Sequence, residues 1–270
     1  MKLTISMATF DDYDGVFFTL QSLRLHHTLP EKTEVIIIDN NPESSHGKAT
    51  AALAKSLPMV RVIPVTDRVS SWVKYDAFEL AQGEIILGLD CHVLLKPGFI
   101  DNLMDYWAKN PNSRDLLTGP LIYNDLSVTS AMMEPRWSGH DYGCWADAPE
   151  LMEKGMPFEI PMQGMGCFSF RTSNAPIPCK LFRGFGAEEW YMAERVRQGG
   201  GRVICHPKLA WLHRFDWPQR KFPLTFHDRV RNYYLGWMEL YKSSDHPMVQ
   251  GMISHMRSIF PNVDNIIKEI

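Results

Sequence analysis

Glu84-Ile85-Ile86-Leu87-Gly88-Leu89-Asp90-Cys91-His92 is an aliphatic run that stops on a carboxylate and reaches an imidazole two positions later. With Ala81-Gln82-Gly83 in front of it, residues 84–89 read as a β-strand, and Lys96-Pro97-Gly98-Phe99 opens the next helix. Towards the N-terminus lie three more β-rich runs, at 3–7, 34–39 and 59–65, separated by amphipathic stretches at 14–26, 47–57 and 70–81. Strand and helix alternating at this spacing predict an α/β fold with a mainly parallel central sheet, right-handed crossovers and helices on both faces. Ligands of such sheets sit at the carboxyl ends of the strands. Thr9, Asp39 and Asp90 each fall at or just past a strand end, on one edge.

The second half is less regular. Residues 124–161, with Trp137-Ser138-Gly139-His140-Asp141-Tyr142-Gly143 among scattered Pro and Met, read as a long functional loop. Regularity returns at 164–171 and in a helix at 187–198 stopped by Gly199-Gly200-Gly201. β-like runs at 202–205 and 209–212 and helices at 224–242 and 248–259 follow. No repeat or linker interrupts the chain, so residues 1–245 are expected to form one domain, with 246–270 a helical extension packed on it.

A chain of 270 residues, 45% hydrophobic and 22% charged, can build a sizeable core, which excludes disordered and fibrous classes. Its 28 basic residues against 31 acidic ones give a net charge of −3, which excludes a generic polyanion binder. No apolar run approaches the ~20 residues of a membrane span. Five scattered cysteines without a CxxC pair speak against a disulfide framework and a zinc knuckle. The first seven residues read as a strand and not as a leader, so a cytoplasmic protein is expected.

Where the chain leaves the strand, Asp90 offers an oxygen and His92 a nitrogen to one divalent ion. The surrounding sequence gives that pair its weight. Thr9-Phe10, Ile36-Ile37-Ile38-Asp39-Asn40 and Asp90-Cys91-His92 resemble the nucleotide-sugar-binding half of family-2-like glycosyltransferases of the GT-A fold. Gly184-Phe185-Gly186-Ala187-Glu188-Glu189-Trp190, Arg195 and Gln198-Gly199-Gly200-Gly201 resemble the Trp-Gly-Gly-Glu-Asn…Gln-Cys-Gly-Gly segment of polypeptide N-acetylgalactosaminyltransferases. In that family the last metal-binding His follows the motif Glu at the distance that separates His213 from Glu188 here. Gly164-Met165-Gly166-Cys167-Phe168-Ser169 and Trp237-Met238-Glu239-Leu240-Tyr241-Lys242 are similar to its Ala-Gly-Gly-Leu-Phe-Ser and Trp-Met-Asp-Glu-Tyr-Lys stretches.

The resemblance implies a GT-A enzyme that transfers a sugar from a UDP-sugar to a hydroxyl acceptor. By the same resemblance, Thr9, Phe10, Asp11, Asp39 and Gly166 belong to the donor site, and Asp90, His92 and His213 hold Mn²⁺, or Mg²⁺ or another divalent ion. Arg68, Lys74 and Arg214 could add positive charge at the diphosphate. Glu188 and Glu189 are the candidate catalytic carboxylates. The inverting relatives carry Glu-Asp there, with a general base in second place, and the retaining ones carry Glu-Asn. Glu-Glu leaves a base available, whereas Asp-x-His with the distant His points to the retaining relatives. Ser71-Trp72-Val73-Lys74-Tyr75 departs from the family pattern, so the donor sugar is left open.

The acceptor is expected to enter past residues 124–161 and 215–222, where Trp137, Trp145 and Trp217 could stack on it. A glycan, a protein Ser/Thr hydroxyl and a hydroxymethylated base of DNA are the acceptor classes. Arg214, Arg220, Lys221, Arg229 and Arg231 offer the nucleic acid a local basic face. A catalytically degenerate sugar-nucleotide-binding protein is a further alternative. A nucleotidyltransferase is disfavoured, because Thr9-Phe10-Asp11-Asp12-Tyr13-Asp14 is acidic and lacks a glycine cluster.

Overall fold

In the computed structural model, which describes residues 2–126, 129–215 and 222–270, the aliphatic runs of the first half become strands and the amphipathic stretches become helices. They run β1 (Leu3–Thr9), α1 (Tyr13–His26), β2 (Glu34–Asp39), α2 (Ser45–Lys55), β3 (Val60–Pro64), α3 (Asp76–Leu80), β4 (Ile85–Asp90), β5 (Val93–Leu95) and α4 (Phe99–Lys109). A 3-10 turn at Ser71–Tyr75 precedes α3. Side-chain caps fix where the helices begin: Asp12 accepts from the Gly15 N–H at 2.9 Å, and Ser44 accepts from the Gly47 N–H at 3.0 Å.

The second half contributes β6 (Leu116–Thr118), β7 (Leu121–Tyr123), β8 (Thr129–Ser130), β9 (Met132–Ser138), β10 (Asp141–Ala146), α5 (Pro149–Glu153), β11 (Phe158–Glu159) and β12 (Cys167–Arg171). Then come α6 (Glu188–Gln198), β13 (Val203–Cys205), β14 (Trp211–His213), α7 (Phe226–Tyr241), α8 (Pro247–Ile259) and α9 (Val263–Lys268).

Eight strands form the central sheet in the order β11-β13-β6-β12-β4-β1-β2-β3. β12 runs antiparallel to β4 and β6, and β11 antiparallel to β13; the other pairings are parallel. The expected mainly parallel α/β sheet is therefore what forms. Side chains alternate between its faces. Leu3, Ile5, Met7, Leu87 and Leu89 pack with Trp107 of α4 on one face, and Ile86, Phe168 and Phe170 pack towards α6 and α7 on the other. Val249, Met252, Ile253 and Met256 of α8 join that second cluster beside Tyr233 and Trp237 of α7.

Register decides the site. Thr9 pairs with Asp39 and Ala8 with Asp90, so the three strand ends lie on one edge, as the sequence predicts. β5, β14, β7 and β8 make a smaller sheet in which His213 pairs with Val93, just beyond Asp90 and His92.

Residues 124–161 do not form the expected long loop. They hold β8, the β9–β10 hairpin, α5 and β11. Pro135 interrupts the alternation in sequence, yet the two-stranded ribbon tolerates it, because both strands are edges and the register shifts between Tyr142 and Cys144 opposite it. All five cysteines are free thiols. Among the described residues no helix is long and apolar enough to cross a membrane.

Candidate active site

Strand ends from the large sheet and β14 from the small one converge on a cavity of about 330 Å³. Asp90 closes β4, and its backbone N–H donates to Gly166 O at 2.8 Å. Its Oδ2 lies 3.4 Å from His213 Nε2, and its Oδ1 lies 3.3 Å from Lys74 Nζ. The His92 ring meets that of His213 edge-on, with centroids 4.8 Å apart. Its Nδ1 is 2.9 Å from Oδ2 of the buried Asp12, which turns Nε2 to the opposite edge of the ring. The capping carboxylate of α1 thus also orients a candidate metal ligand, as carboxylates behind ligating histidines commonly do.

Asp90, His92 and His213 each present a ligand atom, all within 4.8 Å of one another. One carboxylate and two imidazoles suit Mn²⁺ or a neighbouring transition ion better than Ca²⁺. Burial lowers the pKa of His213 against the pull of Asp90, so the ring is neutral and able to ligate. Burial works against the Asp90 charge too, but Lys74, His213 and His92 hold its carboxyl well below the usual range. The residues fit an ion.

Asp12, Cys91 and His92 form a second cluster of the same reach. There burial holds the Cys91 pKa well above its ordinary value, leaving a thiol and not a thiolate, and Asp12 is already committed to Gly15, His92 and Arg214.

Gly184, Gly186 and Ala187, all at positive φ (60°, 105° and 74°), turn the chain sharply into α6. The turn sets Glu188 and Glu189 at the positive end of the helix dipole. Their surroundings differ. Glu188 is buried, accepts a hydrogen bond from Ser71 Oγ, and lies 3.3 Å from both Tyr75 Oη and Lys74 Nζ. Glu189 lines the cavity, where burial, reinforced by Glu188, pushes its pKa up to about 7.

Thr9, Phe10, Lys74, Asp90, His92, Gly166, Glu189 and His213 all line the cavity. Gly166 leaves room for the carboxylate, since a Cβ there would stand 3.0 Å from Asp90 Oδ2. Asp39 lies beside Thr9, buried, with Oδ1 accepting from the Asn41 N–H at 3.0 Å and Oδ2 without a hydrogen-bond partner among the described residues. Asp11 accepts from Asn41 Nδ2 at 3.0 Å. Arg68 does not line the cavity; it pairs with Asp67 and Asp76 on the surface.

Of the expected basic face, Arg214 meets Asp12 at 3.3 Å, and Arg229 is buried against Asp141. Trp217, Arg220 and Lys221 lie outside the described residues. Trp137 stacks on His255 at 4.3 Å, away from the cavity, whereas Trp145 enters it over Gly164, where a Cβ would come within 2.4 Å of the ring.

Asp12, Asn40 and Ser71 also belong to the site, and sequence reasoning missed them. Asp12 carried one signal, an aspartate directly ahead of an amphipathic helix. Asn40 joins the strand ends to the 3-10 turn, accepting from the Ser70 N–H at 2.8 Å and donating to Arg68 O at 2.6 Å.

A sequence model of glycosyl transferase family 2 matches residues 4–140, half of the chain. The chain belongs to glycosyl transferase family 2. Its fold is the GT-A fold, shared with solved glycosyltransferase structures. GalNAc-T7, solved with UDP, GalNAc and Mn²⁺, superposes with a TM-score of 0.70 at 14% identity over 88% of this chain and 47% of its own. The family member described here thus spans about half the length of that relative. TarS from S. aureus, in complex with UDP-GlcNAc, gives 0.63 at 13% identity, covering 100% of this chain and 76% of its own. The mannosyltransferase PcManGT from Pyrobaculum calidifontis, with GDP-Man and Mn²⁺, gives 0.59 at 15%, covering 99% and 74%. No curated protein sequence matches the chain.

Proposed function

We propose that this family-2 protein is a metal-dependent glycosyltransferase that moves a sugar from a UDP-sugar to an acceptor hydroxyl. One observation carries the reading: a possible metal triad, Asp90, His92 and His213, opens into the same cavity as a carboxylate with a pKa near neutrality, Glu189.

Asp90, His92 and His213 would hold Mn²⁺, which supplies Lewis-acid neutralisation of the diphosphate charge that builds as the sugar leaves. Thr9 and Phe10 in the cavity wall, with Asp11 and Asp39 behind them, would bind the nucleoside, and Lys74 would add a cation beside the diphosphate. The acceptor oxygen bonds to the anomeric carbon, the bond from that carbon to the diphosphate breaks, and the acceptor proton passes to Glu189. A base poised near pH 7 suits that task. Glu188, tied to Ser71, Tyr75 and Lys74, positions the wall and takes no proton.

The acceptor is a glycan or a protein hydroxyl; nothing among the described residues favours a base of DNA over these. A cytoplasmic setting fits five free thiols, and residues 1–245 are taken as the catalytic unit, with 246–270 an extension of it.

The test is release of nucleoside diphosphate across a panel of UDP- and GDP-sugars, with Mn²⁺ or with EDTA. Turnover of one UDP-sugar that EDTA and His213→Ala both abolish is expected. No turnover of any donor under either condition would sink the enzyme reading in favour of a degenerate sugar-nucleotide-binding protein.

A further inference from the structure

Lys74 stands where a metal-dependent transferase has least use for a resident cation. It is nearly buried, and its Nζ lies 3.3 Å from each of three oxygens: Asp90 Oδ1, Glu188 Oε2 and Met165 O. A lysine ammonium has three N–H donors and no acceptor, so all three are committed before any ligand arrives. Asp90 is divided in turn, with Oδ1 towards Lys74 and Oδ2 towards His213. A divalent ion on Asp90 would sit beside an ammonium that already neutralises the same carboxylate. Like charges this close in a cavity with few mobile screening ions repel strongly.

We propose that Lys74 is an internal competitor for the metal carboxylate, held there by Glu188, and that it makes ion binding depend on the donor. This rests on the metal and donor reading above. Without a nucleotide, Lys74 neutralises Asp90 and the triad takes an ion weakly. A diphosphate brings negative charge that both cations can share. Lys74 then exchanges its contact with Asp90 for a phosphate oxygen while keeping Glu188 and Met165 O, and Asp90 is released to the ion. Ion and donor thus enter with positive coupling, and each favours the other by the same factor. Glu188 is a positioning residue here, acting on the ion only through Lys74.

The double variant K74M/E188Q provides the test. It removes the competitor together with its anchor, so Asp90, Lys74 and Glu188 keep the same summed charge as Asp90 alone in the variant. It also avoids leaving two buried carboxylates without a cation, which could unfold K74M. Mn²⁺ binding to the full chain is read from loss of the free-ion EPR signal, without nucleotide and with saturating UDP. Without nucleotide, the double variant is expected to bind Mn²⁺ about ten-fold more tightly than wild type. The factor by which UDP tightens Mn²⁺ binding should shrink correspondingly.

Equal or weaker nucleotide-free binding by the variant overturns the proposal and leaves the transferase reading standing. Absence of Mn²⁺ binding to wild type, with and without UDP, overturns the metal reading itself and this inference with it.

Discussion

Glu188 and Glu189 are neighbours in sequence and in helix position, yet one is locked into a polar network and the other faces the cavity. That difference sets the pH behaviour. With its pKa near 7, Glu189 gains its basic form as pH rises, so turnover should climb through about pH 7. Glu189→Gln should lower kcat by about 10²- to 10³-fold and flatten that limb; unchanged turnover would remove the base role.

Stability should move the other way. The folded pKa lies above the ordinary value of 4.5, so the folded state binds the proton more tightly, and ionising Glu189 costs stability as pH rises towards and through 7. The variant escapes that cost. Relative to wild type it should gain on the order of 1–2 kcal/mol between pH 5 and pH 8, measured by urea unfolding.

Asp115 has the opposite sign. Burial opposes its charge, but Arg202 at 2.9 Å, Ser113 and Tyr106 hold its pKa below the usual carboxylate value. Asp115→Asn should cost about 2 kcal/mol at pH 7. The difference should fade only below the ordinary carboxylate pKa, as the wild-type group itself protonates.

At the scale of elements, the first half was legible because its signals are local. Aliphatic runs, caps and helical periods occur at short, regular spacing, and the register that follows from them places Thr9, Asp39 and Asp90 together. The β9–β10 hairpin was not legible, since a ribbon with two edges has no need of the alternation that marks a half-buried sheet, and Pro135 hides it further. Trp145 therefore reads as a loop residue in sequence, whereas a strand holds it in the cavity wall. His213 could be found only through its spacing from Glu188, because pairing between β14 and β5 joins residues far apart in the chain.

Gly88 gives a sharp test of how closely the elements fit. A Cβ there would stand 2.2 Å from the Phe168 ring, directly across the β4–β12 ladder. Gly88→Val should cost about 2–3 kcal/mol and displace Asp90 at the strand end, read as a lower urea midpoint. Adding Phe168→Leu should restore part of the loss. An unchanged midpoint in Gly88→Val would show that the ring has room to move.

For the whole molecule, α8 and α9 are built into the larger core. Val249, Met252, Ile253 and Met256 cover α7, and His255 stacks on Trp137 and donates from Nε2 to Gly139 O at 2.7 Å. A chain ending at residue 245 should melt ~10 °C lower or more, because that apolar face of α7 would meet water. Retention of the full-length melting temperature would make the segment dispensable. The convergence of β4 and β14 has one more consequence. Asp90 and His213 belong to different sheets and stand far apart in the chain. An ion gripped by both would be a cross-link as well as a reagent, adding a tie between two sheets that share one core. Chelation should then loosen the architecture as well as silence it, with hydrogen exchange rising together at β5 and β14 and staying slow in β1.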